Sequence, residues 1–269
     1  MPRSQQSLRL TDRFAAQLAA TEARVARIAR TRWNLDPSDF DGSYENWLDV
    51  VVPLVTSAQK SNERLTTAYL TAFITSETGK RARLDKVASV AGTSRDGRPL
   101  REAWQSPPIK AKVAISEGKT VTEASAIAQS AALTHVNLDT YHGARGTMTA
   151  LLAATQAVIG YTRVAGGNAC GACLGAADGS VFATDDVFEL HANCDCVAEP
   201  VLADVPNRVQ RPTGQEIFDS LSRAEQNARL GEEAAKAVRG GVPLTALVGH
   251  AHMDNEQDWI TQKPLAALS

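Results

Sequence analysis

Aromatic side chains are scarce: only 5% of the 269 residues are Phe, Trp or Tyr, and much of the 43% hydrophobic content is Ala. That scarcity argues against a thick sheet core and favours thin layers of packed helices. An excess of one charge is also missing. The 28 basic side chains stand against 30 acidic ones, a formal charge of -2. A bulk nucleic-acid binder is thereby excluded, because neutralising phosphates needs a clear surplus of Lys and Arg. No apolar run approaches the roughly 20 residues needed to span a bilayer. The start, MPRSQQSLRLTDRF, has no hydrophobic stretch of the secretory kind. A membrane protein and a secreted disulfide scaffold are both set aside, and the apolar fraction is enough for a folded core.

What is there is mostly helical periodicity. Ser7 to Trp33 reads as an amphipathic helix, with Phe14, Leu18, Val25 and Ile28 at helical spacing and no Gly or Pro between them. Seven Arg against Asp12 and Glu22 over residues 1–33 make it locally basic. It presents either a solvated face or an arm that docks on an acidic surface or touches nucleic acid. Asn34 to Tyr44 is turn chemistry. A second helix is predicted from about Tyr44 to Glu77 on Trp47, Val51, Leu54, Ala58, Leu65, Tyr69, Ala72 and Phe73, with Pro53 kinking it or marking its true start. Residues 92–108 look like a surface connection closed by a Pro pair. Helix resumes at Ile109 and is interrupted around Glu117–Lys119. The Ala-rich stretch Thr122 to Gly160 comes next, split in two by Gly143 and Gly146. No repeat of fixed period runs through the chain.

From 161 the texture changes to short, β-branched, Gly-containing segments, with six acidic side chains and no Lys or Arg between Cys170 and Pro200. All four cysteines lie here: Cys170-Gly-Ala-Cys173, then His191-Ala-Asn-Cys194-Asp-Cys196. Burial as small hydrophobes or disulfide pairing would not explain why one of only five His residues falls inside the cluster. A CxxC knuckle with a second short ligand loop after it closes a tetrahedron around Zn2+, as structural zinc sites require. Five donors compete for four places: Cys170, Cys173 and His191 are the surer three, with Cys194 and Cys196 competing for the fourth. A reversible disulfide and inert thiols are the alternatives. A catalytic zinc fits less well, since four protein donors leave no open position for water. Glu189, beside His191, reads as a solvated loop carboxylate. A thioredoxin-like CxxC should open a helix after a buried strand. Here the next residues, Leu-Gly-Ala-Ala-Asp-Gly-Ser, predict a turn, with Asp178-Gly179 joining Leu174 to Val181-Phe182 as a hairpin.

The run Tyr161-Thr162-Arg163-Val164, CGACLGAADGSVF at 170–182 and HANCDC at 191–196 resembles the Mu F-like minor head proteins of tailed phages. That family carries a long helix leading to a strand, a CxxC, a short hairpin, a variable loop and an HPxCxC ending. The order and spacing are kept here. The turn at Gly175–Asp178 is longer, and Ala192 stands where the family generally has Pro. The likeness is strongest over about 120–202 and extends more softly over 214–248. It implies a low-copy component of the phage head, associated with the portal or the inner capsid surface. Such a protein acts in head assembly or in genome packaging and delivery. Its expected partners are the portal protein and/or the major capsid protein, with weak contact to packaged DNA through the basic N-terminal helix and no membrane. Its expected place is the virion, at the capsid interior or portal vertex, after assembly in the host cytoplasm.

The expectation is therefore a mainly α protein of long helices with a small α+β insert tied by a structural zinc knuckle. Its regions are 1–108 (helical), 109–202 (the head-protein module) and 203–269 (a helical extension that opens on a capping box at Thr213-Gly-Gln-Glu216 and continues through Ile217, Leu221, Ala224, Ala234 and Val238). The rivals are a phage-encoded enzyme, such as a maturation protease or a transferase, and a zinc-knuckle nucleic-acid binder. No G-x-S-x-G is present. His135 and His142, seven apart, read as polar interface positions, and the His250/His252/Asp254 stretch reads as an exposed tail. Knuckles that grip nucleic acid carry basic and aromatic residues between their ligands, whereas Asp178, Asp185, Asp186, Glu189 and Asp195 would repel phosphate. No catalytic role is assigned.

Overall fold

The computed structural model describes residues 3–166, 169–186, 194–205 and 211–248. These residues form a mainly helical protein with one two-stranded antiparallel sheet. They fall into two compact units, neither continuous in sequence. A helical unit takes 16–72 and 83–154; a sheet unit takes the described residues of 1–15, 73–82 and 155–269.

The helical unit contains the later part of α1 (Arg3–Thr31), most of α2 (Phe40–Thr78), the short α3 (Leu100–Ala103), α4 (Ser106–Ser116) and α5 (Val121–Ala154). On α1, Phe14, Leu18 and Val25 are buried as their spacing predicts, and Arg9, Arg13, Arg24 and Arg27 are exposed. Helix α2 starts at Phe40 rather than at Pro53. Asp39 caps it, its Oδ1 accepting the Gly42 N–H at 2.9 Å. Pro53 sits on the exposed side, where water can take up the carbonyl that proline leaves without an amide partner.

Two expectations fail in this unit for packing reasons. Gly143 and Gly146 do not divide α5, which runs unbroken to Ala154. Gly143 is there because α2 crosses close by: a Cβ would lie 2.6 Å from both the Cα and the carbonyl oxygen of Gln59. Likewise, 92–108 is no surface connection. Leu100 and Trp104 are fully buried in a core with Tyr44, Trp47, Leu48, Val51 and the alanines of α4 and α5. Three of the four tryptophans meet there: Trp47 and Trp104 inside the core and Trp33 against it. Tyr44 stacks on Trp47 with centroids 5.5 Å apart, and Trp33 meets Trp47 edge-on at 5.3 Å. The ring polar atoms have partners: Trp47 Nε1 donates to Ala29 O at 2.9 Å and the Tyr44 hydroxyl to Trp104 O at 2.7 Å.

Gly143→Ala gives a test of the close crossing. Alanine is favoured over glycine in a helix interior by about 1 kcal/mol. The clash is with backbone, however, which cannot swing aside, and overpacking of this kind costs about 1–3 kcal/mol. We expect a net loss of stability in denaturant titration. Gly146→Ala is the control: its Cβ would meet only side chains, the nearest being the Val90 methyls at 3.3 Å, so the propensity gain should leave it neutral or more stable. A Gly143→Ala chain more stable than wild type would refute the packing account.

A polar seam invisible to the periodicity joins α2 to α5. Gln59, Asn62 and Thr66 are buried on α2. The Gln59 amide donates to Asp139 O at 2.8 Å and to Thr93 O at 2.9 Å, while its oxygen accepts Gly92 N–H at 2.7 Å. Asn62 Nδ2 donates to Thr140 O at 2.8 Å. Asp139 is buried as well, accepting from Trp104 Nε1 at 2.6 Å and from the Arg95 amide at 3.3 Å. Burial raises its pKa to about 6, against the lowering effect of those hydrogen bonds. A carboxyl whose folded pKa is raised favours folding fully below its unfolded value near 4, and that contribution is lost as pH rises through about 6. Carboxyl-carbon NMR should find Asp139 titrating near 6; a midpoint near 4 would mean the site is wetter than its contacts indicate.

In the sheet unit, β1 (Val158–Val164) pairs antiparallel with β2 (Val197–Leu202), from Val158↔Leu202 to Val164↔Val197. The helices are α6 (Gly171–Ala176), α7 (Gly214–Ser220), α8 (Arg223–Leu230), α9 (Glu232–Arg239) and α10 (Leu244–Val248). The capping box at Thr213 and Glu216 forms as its spacing predicts, and a second, unforeseen, forms at Ser222 and Glu225. Each restart resets the helical phase, so Phe218, Leu230 and Ala235 are buried along with Val238, rather than Ile217, Leu221 and Ala224. Gly231, at φ 80, separates α8 from α9.

Candidate metal centre

Strand register builds the cluster. Because Val164 pairs with Val197, the chain leaving β1 and the chain entering β2 meet at one end of the sheet. Cys196 is the residue before β2, and Cys194 lies two before it. On the other side, Cys170 caps α6 and Cys173 stands in its first turn. The sulfurs of Cys173, Cys194 and Cys196 lie within 4.8 Å of one another, and Cys173 Sγ is 3.6 Å from Cys194 Sγ. Four tetrahedral thiolates about 2.3 Å from a zinc ion would stand about 3.8 Å apart, whereas a disulfide needs about 2.05 Å. None of the four cysteines is in a disulfide; Cys170 is half-buried and the other three are buried.

The electrostatics point the same way as the spacing. Hydrogen bonds with Cys170, Cys194 and Cys196, together with burial, push the Cys173 thiol far above its ordinary range. For Cys196, a bond from Cys173 lowers the value, but Cys194, burial and the neighbouring Asp195 carry it well upward. Crowded, buried thiols of this kind ionise only when a cation compensates them. The donor set therefore fits a soft or borderline metal ion.

Of the five predicted donors, three are brought together, and Cys170 joins them through its hydrogen bond to Cys173. Cys194 and Cys196 stand together in the same trio. His191 and Glu189 lie outside the described residues, as do His250, His252 and Asp254. The local context of the CxxC differs from expectation. It opens a helix, α6, after strand β1, where the small residues predicted a turn. Asp178-Gly179 does turn, with Ser180 N–H on Asp178 Oδ1 at 2.8 Å and Gly179 at φ 88. It delivers Phe182 to Tyr161 of β1 rather than back to Leu174, through amide bonds of 2.8 and 2.9 Å. The Tyr161 and Phe182 rings stack at 5.3 Å.

Sequence reasoning missed Arg211 and the two glycines that shape the unit. Arg211 bonds Glu199 of β2, Asp12 Oδ1 and Leu8 O, each at 2.8 Å, so the start of α1 is packed into the unit and is no free arm. Gly166 leaves room for the Asp195 carboxylate, and Gly214 sits against the Leu174 backbone of α6, where any side chain would collide. Gly166 stands in a Gly-rich stretch and Gly214 alone after the Thr213 cap, and neither setting marks which glycine faces a neighbour.

In the helical unit, Ser106 Oγ lies 3.0 Å from His135 Nε2, a pairing that nucleophilic catalysis can use. The two residues after Ser106 are Pro107 and Pro108, which have no N–H to form an oxyanion hole. His135 also stacks on Trp104 at 6.1 Å. His142 is half-buried with its pKa lowered by burial and then by Arg145. Compared with protein-family models, with curated proteins and with solved structures, the chain matches none of them.

Proposed function

We propose that this chain is a structural minor head protein of a tailed phage. In this reading it docks on the portal or the major capsid protein during head assembly and holds one zinc ion to stabilise the sheet unit. The observation that supports the reading most is the local order of the cysteine region. Strand β1, the CxxC on α6, the Phe182 bridge, the CxC and strand β2 are gathered into one compact unit, in the sequence that resembles the Mu F-like proteins. A two-stranded sheet is marginal by itself, and an ion gripped by both its flanks supplies the missing stability. The fourth place belongs to Cys170 or His191. The exposed arginines of α1 suit weak, salt-sensitive contact with packaged DNA. Mass spectrometry of purified proheads and virions tests the proposal: the chain should be present at a few copies per head and cross-link to the portal. Its absence from both particles would overturn the reading.

A further inference from the structure

The CxxC has a feature that a purely structural ion site does not need. It opens helix α6, the first element after strand β1 among the described residues, and a CxxC that starts the helix after a strand is a setting in which paired cysteines act as redox dithiols. Its first thiol, Cys170, is the half-buried one, while Cys173, Cys194 and Cys196 are 1–3% exposed. Cys170 and Cys173 are hydrogen-bonded to each other. Cap and first turn of one helix therefore place an accessible sulfur beside a buried one.

We propose that Cys170 and Cys173 are a redox-active pair that closes to a disulfide and releases the ion held by the cluster; this rests on the metal reading above. The oxidant class is a hydroperoxide. The Cys170 thiolate attacks the peroxide, an S–O bond forms, the O–O bond breaks, and hydroxide or alkoxide leaves and is protonated. The Cys173 thiolate then attacks the sulfenyl sulfur, an S–S bond forms, the S–O bond breaks, and the second oxygen leaves as water. The two sulfurs give up two electrons, the peroxide gains them, and the metal loses Cys173 of the trio, and Cys170 with it where Cys170 holds the fourth place.

Closing the pair has a directional effect on the unit. Helix α6 is also held by contacts that no thiol makes: Gly214 N–H donates to Ala177 O at 2.6 Å, and Arg229 Nη1 to Ala169 O at 2.7 Å. Those contacts survive the new disulfide. The tie from α6 to Cys194 and Cys196 does not, so the entry to β2 is what oxidation loosens.

The test treats the zinc-loaded full-length chain with hydrogen peroxide in the presence of a chromogenic zinc chelator. Zinc should leave in step with a disulfide that peptide mass mapping places at Cys170–Cys173. Hydrogen exchange should rise over 194–202 and stay unchanged over 214–230, and a dithiol reductant with added zinc should restore both. Cys170→Ser should slow zinc release by about tenfold or more, since the buried thiols are shielded. A disulfide at Cys173–Cys194, sulfinic or sulfonic acids as the first products, or equal release rates in Cys170→Ser would overturn the proposal. The two readings fail separately. A chain that takes up no zinc yet closes Cys170–Cys173 refutes the ion site and keeps the dithiol. A chain that holds zinc and resists disulfide formation refutes the dithiol alone.

Discussion

Replacing Cys173 by Ala should abolish metal binding and cost the sheet unit several kcal/mol, because the ion's binding free energy is folding free energy when no site exists in the unfolded chain. Cys173 is the central thiol. It is hydrogen-bonded to the other three cysteines, belongs to the buried trio, and is the one member of that trio on α6. Removing it leaves Cys194 and Cys196 on the far side with no donor from α6 in the trio. The loss should therefore concentrate in residues 158–202, as faster hydrogen exchange of the β1–β2 amides. Native mass spectrometry of the reduced protein should show one zinc in wild type and none in the mutant. Wild-type stability in Cys173→Ala, with zinc absent from both proteins, would sink the metal reading. Cys170→Ala should be milder, since that thiol is half-buried and outside the trio.

Trp104→Ala should be the most damaging single change in the helical unit, at about 4 kcal/mol. Its ring is fully buried between Trp47, at 6.3 Å, and His135, at 6.1 Å, so truncation opens a large cavity. A second loss adds to the first. The indole N–H is the 2.6 Å donor to Asp139, and a buried carboxyl that loses a donor is stranded or must take up a proton. Trp104→Phe separates the two effects, keeping most of the volume and giving up the hydrogen bond. It should cost about 1–3 kcal/mol and raise the Asp139 pKa further above 6. Denaturant titration of both mutants measures this; a Trp104→Ala loss below about 1 kcal/mol would contradict the burial.

Where a property depends on composition or on near neighbours in the chain, the sequence carried it. Apolar residues at helical spacing predict long helices, and α1, α2 and α5 form. Thr213 and Glu216 lie three residues apart and need nothing distant to close their capping box. The cysteine cluster was legible for the same reason: within the CxxC and within the CxC the donors lie close enough in the chain to reach one ion. The same spacing points to His191, which lies outside the described residues.

Tertiary structure decided whatever depends on which surface meets which. Gly143 looks like a helix breaker until α2 is seen lying across it. Trp104 looks like part of a polar connection until its ring is found in the core, and Gln59 and Asn62 look solvated until they meet the carbonyls of α5. The CxxC reads as a turn because Gly and Ala have weak local preferences of their own; contacts from Gly214 and Arg229 accompany the helix that forms. Sequence by itself determined the class of the fold and the residues able to hold a metal, since both arise from local pattern. Only the fold decided that Cys173, Cys194 and Cys196 form one trio, because the pairing of Val164 with Val197 brings the two cysteine segments to the same end of the sheet.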